Sequence, residues 1–206
     1  KSNGFKNRKR FFTRMNIGIF SGSFNPVHIG HLILANYIVE YSDIDEVWFV
    51  VSPHNPLKEI DKLSDENIRL EMVNRALAGY PKLKACDFEF SLPRPSYTIT
   101  TLEALKKKYP EHDFTLIIGA DNWSTFENWM EHDVILEKFP IIVYPRLGYH
   151  ISIPNKLKTK VEAVDTPIIE ISSTFIREAL KTGKNIKSFL PEGVYEYIVE
   201  NSLYKD

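Results

Sequence analysis

The sequence predicts an α/β fold: a doubly wound, mostly parallel sheet of five or six strands with helices on both faces and a small helical elaboration at the C-terminus. From Met15 onward, short β-branched runs alternate with longer segments of helical period, a pattern that favours right-handed crossovers between parallel strands. The chain has 206 residues, of which 43% are hydrophobic, enough for a substantial core. We expect one domain over residues 15–206.

The predicted elements follow one another along the chain. The strands are the apolar runs at 15–20, 46–52, 83–90, 113–119 and 140–145. The helices carry apolar residues three and four apart and lie at 30–42, 64–81, 96–110, 122–139 (with some interruption), 173–183 and 191–202. Ser64 or Asp65 is the expected N-cap of the second helix, Pro191 the expected first residue of the last one, and Gly183 lies just past a helix end.

Composition and charge disfavour several classes of function. A formal net charge of −1 produces no overall field that would hold a nucleic-acid backbone at physiological salt. Cys86 is the single cysteine, so no intrachain disulfide can form and a reducing compartment is favoured. No run approaches the ~18 apolar residues of a membrane-spanning helix, and no signal-peptide core is present. We expect a cytoplasmic protein with no nucleic-acid or membrane partner; a homo-oligomer stays open.

Residues 1–14 differ from the rest of the chain. They carry six basic side chains and no acidic one, and the first β-like run begins only after them. We interpret this segment as a flexible extension or an expression remnant. An RNA-binding arm is the alternative, although nothing in the remainder of the sequence repeats its charge pattern.

The stretch FSGSFNPVHIGH at residues 20–31 follows the first predicted strand and opens the first helix. Gly22 would let the backbone approach a bulky anion, since no Cβ stands in the way. His28 and His31, three residues apart at the helix mouth, would share one face. A zinc site would need further ligands, and none with suitable spacing is evident. The pattern therefore favours phosphate contact, although its spacing fits neither the dinucleotide fingerprint nor the P-loop.

A second stretch, ISSTFIRE at residues 171–178, also has features of an anion site. Ser172 and Ser173 precede a helix whose first N–H groups would be free for an anion. Arg177 follows about one turn later, where its guanidinium could bridge phosphate oxygens.

The two stretches together resemble the signatures of a known family. Residues 22–31 are similar to the G-x-F-[DN]-P-x-H-x-G-H motif of the nucleotidylyltransferase superfamily, and residues 171–177 resemble the I-S-S-T-x-I-R motif of bacterial nicotinate-nucleotide adenylyltransferases. The resemblance covers residues 15 to about 204 and implies a Rossmann-like fold. It also implies the reaction: nicotinate mononucleotide attacks the α-phosphorus of ATP, giving nicotinate adenine dinucleotide and pyrophosphate for NAD synthesis. A phosphate monoester is largely ionised at neutral pH, so no general base is needed.

The same resemblance implies a set of residues that contact ATP. His28, His31 and Arg177 would bind its phosphates and act in catalysis, and Gly119 with Asp121 would hold the ribose. The remaining ATP-binding residues would be Gly22, Ser23, Phe24, Gly30, Ser172 and Ser173. Mg²⁺ would be held by the substrate phosphates and by no protein side chain.

For the mononucleotide, the resemblance implies contacts from the loops after the second and third strands. Lys58 is the candidate for its phosphate, with Arg146 as a weaker one. Tyr97 and Thr98 occupy the position that takes the nicotinate carboxylate. Trp129 would stack on the pyridine ring, and Trp123 is the rival for that role.

Other functions remain open at this point. A related adenylyltransferase would use nicotinamide mononucleotide or phosphopantetheine, although NPVHIGH speaks against the latter. A non-catalytic nucleotide sensor would keep the fold but tolerate loss of the phosphate ligands, which are all present here. A tRNA synthetase fragment shares the HIGH sequence, but no anticodon-binding domain or KMSKS loop accompanies it.

Overall fold

The computed structural model describes residues 13–53 and 63–205, and within them six parallel strands form one sheet. The strands are β1 (Asn16–Gly22), β2 (Glu46–Val51), β3 (Leu83–Cys86), β4 (Asp113–Gly119), β5 (Ile141–Tyr144) and β6 (Val161–Ala163). Their order across the sheet is β3-β2-β1-β4-β5-β6, the doubly wound order in which the winding direction reverses between β1 and β4. The predicted fold class is confirmed.

Helices cover both faces of the sheet. They are α1 (Ile29–Tyr41), α2 (Glu66–Ala76), α3 (Thr98–Lys108), α4 (Ala120–Trp123), α5 (His132–Lys138), α6 (Ser173–Lys181) and α7 (Val194–Glu200). Buried residues of α1, α2, α6 and α7 form one apolar cluster with Phe20, whereas those of α3 and α5 form another with Ile17 and Ile19. Strand β1 supplies both clusters because successive side chains of a strand point to opposite faces.

Several predicted boundaries were wrong. The third strand ends at Cys86, because Phe88–Ser91 form a 3₁₀ turn that carries Glu89 into the interior. The sixth strand, Val161–Ala163, lies where the sequence predicted neither a strand nor a helix, and it pairs with β5. The predicted helix at 122–139 is divided into α4, a 3₁₀ turn and α5.

Of the three predictions at helix ends, two are confirmed and one is wrong. Asp65 is the N-cap of α2, and its carboxylate accepts the Asn67 N–H at 2.8 Å. Gly183 follows α6 at φ +68°, a left-handed conformation in which the lack of a Cβ matters. Pro191 is not the first residue of α7, because Gly193 caps that helix and Val194 begins it.

Two expectations lie largely outside the described residues. Residues 1–12 contain most of the basic segment, and residues 54–62 contain Lys58. The reading of residues 1–14 as an extension stays a prediction, as does the single domain over 15–206. Over residues 13–53 and 63–205, no helix combines the length and apolar character needed to cross a membrane.

Candidate active site

Two cavities open beside the carboxyl ends of β1 and β4, where ligands of doubly wound sheets bind. The first, of about 460 Å³, is lined by His28, Gly30, His31 and Asp121, together with residues 166–172. The second, of about 220 Å³, is lined by Gly22, Glu89, Tyr97, Thr98 and Trp129 among others. The buried Tyr144 lines both. The cavities therefore adjoin, as a site for two substrates requires.

The two histidines of the first cavity are held together. Their rings stack with centroids 3.6 Å apart, and the backbone N–H of His28 donates to Nδ1 of His31 at 3.2 Å. Because Nδ1 of His31 accepts a hydrogen bond, the proton of the neutral ring is on Nε2. The ring of Phe24 supports His31 edge-on, with centroids 5.2 Å apart. His31 is thus oriented as a hydrogen-bond donor from Nε2.

His28 is buried, with only 5% of its surface exposed. Burial, with a smaller contribution from the charge of Arg146, lowers the pKa of His28 from 6.5 to about 4. Its Nδ1 is enclosed, and the side chain faces the backbone N–H of His31 at the start of α1. With a pKa of about 4, the ring is neutral at physiological pH.

Gly30 is required by the position of the His28 ring. A Cβ at residue 30 would lie 3.1 Å from Nδ1 and 3.2 Å from Cε1 of His28. Gly22 is constrained in a similar way, because its Cβ would lie 3.0 Å from Cζ of Phe24. These glycines make room for the side chains that shape the site. The close approach of an anion at Gly22, expected from the sequence, stays a prediction.

The second motif is hydrogen-bonded to the backbone of the first. Arg177 Nη1 donates to the carbonyl of Asn25 at 2.8 Å, and Ser173 Oγ donates to the carbonyl of Pro26 at 2.9 Å. Ser172 lines the first cavity and caps α6 through its side chain, which accepts the Phe175 N–H at 3.1 Å. The structure thus brings the two motifs together, although they lie about 150 residues apart in the chain.

Gly119 and Asp121 lie at the end of β4, as expected. A Cβ on Gly119 would collide with Asp121 Oδ1 and lie 3.2 Å from Cγ of Arg146. Nε of Arg146 lies 3.7 Å from Oδ1 of Asp121, and among the described residues neither atom has a hydrogen-bond partner. Arg146 therefore belongs to the first cavity, although it was considered for the mononucleotide phosphate.

The second cavity contains three of the residues predicted to bind the mononucleotide. Tyr97 is the N-cap of α3 and Thr98 its first residue, so free N–H groups lie at the cavity wall. Trp129 also lines the cavity. Trp123 does not, because its indole N–H donates to the carbonyl of Ser152 at 3.0 Å and its ring stacks on Phe126. The structure therefore places Trp129, and not Trp123, in the lining of the second cavity.

A buried arginine that the sequence motifs did not indicate donates hydrogen bonds to the loops after β1 and β2 and before α2. Arg69 is 1% exposed. Its Nη1 donates to the carbonyls of Ser23 and Ser52 at 2.7 and 2.8 Å, and it also reaches the carbonyls of Pro53 and Ser64. Burial lowers the pKa of this guanidinium. The signal was present in the sequence, because Arg69 falls on the helical period of the buried residues of α2.

Two further residues were missed. Glu89 is 4% exposed and lines the second cavity; a glutamate in an apolar run was the signal for it. Tyr204 donates its hydroxyl to Oδ1 of Asn25 at 2.7 Å, and burial raises its pKa to about 12. No local pattern could have indicated that contact, because the two residues are 179 positions apart.

Comparisons with known proteins agree with this geometry. A family model described as "Cytidylyltransferase-like" matches residues 19–179. A Bacteroides fragilis protein named "Probable nicotinate-nucleotide adenylyltransferase" is 54% identical over 185 residues, which cover 90% of this chain and 92% of that protein. A Flavobacterium johnsoniae protein of the same name is 50% identical over 192 residues, 93% of this chain and 100% of that protein.

A solved structure shares the fold. The "Plasmodium falciparum nicotinic acid mononucleotide adenylyltransferase complexed with NaAD" superposes with a TM-score of 0.78 at 22% identity, covering 93% of this chain and 98% of that one. At this identity the likeness supports the architecture alone.

The sheet order and the two adjoining cavities at its reversal point define a nucleotide-binding α/β protein. The family match covers most of the chain, and the curated relatives match over nearly their whole length. The chain therefore belongs to the cytidylyltransferase-like family and, within it, to the nicotinate-nucleotide adenylyltransferases. The resemblance seen in the sequence is confirmed.

Proposed function

We propose that this enzyme transfers the adenylyl group of ATP to nicotinate mononucleotide, producing nicotinate adenine dinucleotide and pyrophosphate in NAD biosynthesis. The observation that carries the proposal is the pair of cavities that share Tyr144, one beside the histidine pair and one beside the α3 N-terminus. ATP would occupy the first cavity and the mononucleotide the second. The acceptor phosphate would then meet the α-phosphorus near their common wall.

The proposed reaction proceeds by alignment of two anions and neutralisation of charge. Nε2–H of His31 and the neutral His28 ring would donate to ATP phosphate oxygens. Arg177, held by the Asn25 carbonyl at 2.8 Å, would add positive charge. Such preorganised donors act without reorganising during the reaction, and the ionised acceptor phosphate needs no base.

The remaining predicted residues would shape the two subsites. Gly119 and Asp121 are proposed to hold the ribose of ATP, and the loop at residues 22–24, with Ser172 and Ser173, to contribute donors around the phosphates. Tyr97 and Thr98 would receive the nicotinate carboxylate at the start of α3, where an anion is favoured. Trp129 would stack on the ring. Lys58 stays the candidate for the acceptor phosphate and lies outside the described residues.

Mg²⁺ is proposed to enter with ATP. Within the described residues no three His, Cys, Asp or Glu side chains are close enough to form a metal cage. The first cavity does contain the carboxylates of Asp121 and Glu170, which suits an ion held mainly by phosphates, with one or two carboxylates nearby. Bound Mg²⁺ would neutralise phosphate charge. Asp121 would help to orient the nucleotide.

The direct test is release of pyrophosphate from ATP and Mg²⁺ with each of three acceptors: nicotinate mononucleotide, nicotinamide mononucleotide and phosphopantetheine. We expect the fastest rate with the nicotinate compound and no turnover in excess EDTA. A faster rate with another acceptor would support the related-transferase alternative. No release with any acceptor, together with ATP binding, would support a nucleotide sensor.

We also infer a cytoplasmic enzyme that acts on small molecules and on no nucleic acid. The thiol of Cys86 is unpaired, which suits a reducing compartment. Burial raises the pKa of this thiol to about 11, so it is protonated and chemically quiet.

A further inference from the structure

The second cavity contains a buried carboxylate, Glu89, although its proposed ligand carries two anionic groups. Among the described residues that line it, Glu89 is the only acidic or basic side chain. Nicotinate mononucleotide carries a carboxylate and a phosphate, both anionic. A buried carboxylate in the same cavity would repel either group, and burial strengthens the repulsion.

Glu89 is held in place by three hydroxyl groups. Ser96 donates to Oε2 at 2.9 Å, Thr101 donates to Oε1 at 2.9 Å, and Ser21 donates to Oε1 at 3.4 Å. A carboxylate only accepts hydrogen bonds, and each of these hydroxyls has a proton that it can donate. Because they come from β1, from the loop before α3 and from α3 itself, the carboxylate occupies a fixed position before any ligand arrives.

The acceptor also carries a positive charge. In nicotinate mononucleotide the ring nitrogen is bonded to ribose, so the ring is a pyridinium cation. A fixed carboxylate attracts such a cation, and the face of an indole such as Trp129 attracts it as well. The cavity therefore offers negative charge from Glu89 and the Trp129 face, and N–H groups from the start of α3. This arrangement matches a zwitterionic ring.

We propose that Glu89 is a specificity-determining residue that recognises the positive charge of the pyridinium ring, while the N-terminus of α3 receives the ring carboxylate. The inference rests on the proposed function, because it takes nicotinate mononucleotide as the acceptor. It goes beyond that function by assigning the buried acid a ligand charge to bind. It also predicts that the cavity rejects rings of the same shape that lack the charge.

The experiment compares two ligands by titration calorimetry. One is nicotinate mononucleotide; the other is its carbon isostere, in which a 3-carboxyphenyl ring is joined to the same ribose phosphate through carbon and carries no ring charge. The native enzyme should bind the pyridinium ligand about tenfold more tightly, the order expected for one partly screened charge pair. Glu89→Gln should lose about tenfold for the pyridinium ligand and about twofold or less for the isostere.

The controls separate recognition of charge from a structural role. Glu103→Gln, at an exposed residue of α3 that pairs with Lys138, makes the same change in net charge and should leave both affinities unchanged. Thr101→Val removes one hydroxyl but keeps the carboxylate, so it should retain the preference for the pyridinium. If Glu89→Gln folds poorly, Trp129→Leu removes the aromatic face and keeps the carboxylate. The preference for the pyridinium should persist in that variant, and its complete loss would assign the preference to the indole and overturn the inference.

Two further results would overturn the inference: equal affinity of the native enzyme for the two ligands, or an equal loss for both in Glu89→Gln. Failure of the proposed function would look different. It would appear as a native enzyme that does not release pyrophosphate from ATP with nicotinate mononucleotide, whatever the residue at position 89.

Discussion

Nδ1 of His31 accepts the backbone N–H of His28 at 3.2 Å, while the two imidazole rings stack 3.6 Å apart. The hydrogen bond places the proton of neutral His31 on Nε2, and the stacking orients the two rings relative to each other. The HIGH sequence thus encodes a local geometry in which the second histidine is positioned by the backbone of the first.

Replacement of His31 by Ala should lower kcat by about 10²- to 10³-fold, as expected for the loss of one transition-state donor. Pyrophosphate release under saturating substrates measures the effect. His150→Ala is the matched control, because this histidine is exposed and lies outside the described lining of both cavities. Unchanged turnover in His31→Ala would remove the catalytic assignment and favour the sensor alternative.

Replacement of Gly30 by Ala should displace the His28 ring, since the added Cβ would lie 3.1 Å from Nδ1 of that ring. We expect at least about tenfold lower kcat and a loss of about 1–3 kcal/mol in unfolding free energy, typical of overpacking. Ile33→Ala, at an exposed position of the same helix, controls for helix effects. Native activity in Gly30→Ala would show that the His28 ring position does not matter for the reaction.

The depressed pKa of His28 predicts a pH dependence of stability. Its pKa is about 4 in the folded protein and 6.5 for an ordinary histidine, so between these values the unfolded chain binds a proton that the folded chain does not. The contribution of His28 to stability is therefore fully present above pH ~6.5 and is lost as the pH falls toward ~4, by up to about 3 kcal/mol. Urea unfolding at several pH values measures it. His28→Asn should flatten the dependence in this window; an unchanged slope would contradict the prediction.

Loss of the Arg69 guanidinium should destabilise the fold, because four carbonyls would lose their donor in a buried place. We expect Arg69→Ala to cost about 3 kcal/mol or more in urea unfolding. Arg75→Ala is the control on the same helix: its exposed ion pair with Glu71 should contribute about 1 kcal/mol or less. Similar losses in the two variants would argue against a special role for Arg69.

The hydroxyl of Tyr204 should connect the C-terminal segment to the first motif. Tyr204→Phe removes the hydrogen bond to the side-chain Oδ1 of Asn25. The backbone carbonyl of the same residue accepts from Arg177. We expect a loss of about 1 kcal/mol in stability and a higher KM for ATP. Tyr41→Phe, at a residue 75% exposed, should change neither quantity. A change in stability with no change in KM would limit Tyr204 to a structural role.

The sequence predicted the features that depend on residues close together in the chain, and it failed for features that depend on distant ones. The alternation of apolar runs indicated the doubly wound sheet, since periodicity reports which face of each element is buried. The motifs at residues 22–31 and 171–177 were visible for a similar reason, because the residues of each motif are close together in the chain. The end of β3 and the place of β6 escaped prediction, because strand pairing depends on neighbours distant in the chain.

By itself, the sequence determined the fold class and the family, and it located the loops that line the two cavities. Only the tertiary structure decided that Trp129 faces the second cavity while Trp123 is bonded to Ser152, and that Glu89 is the buried acid of that cavity. These outcomes depend on which side chains meet across the sheet. A polar group can be buried without a large cost only when other residues supply its hydrogen bonds. Because those residues are distant in the chain, the periodicity of the sequence does not reveal the contacts.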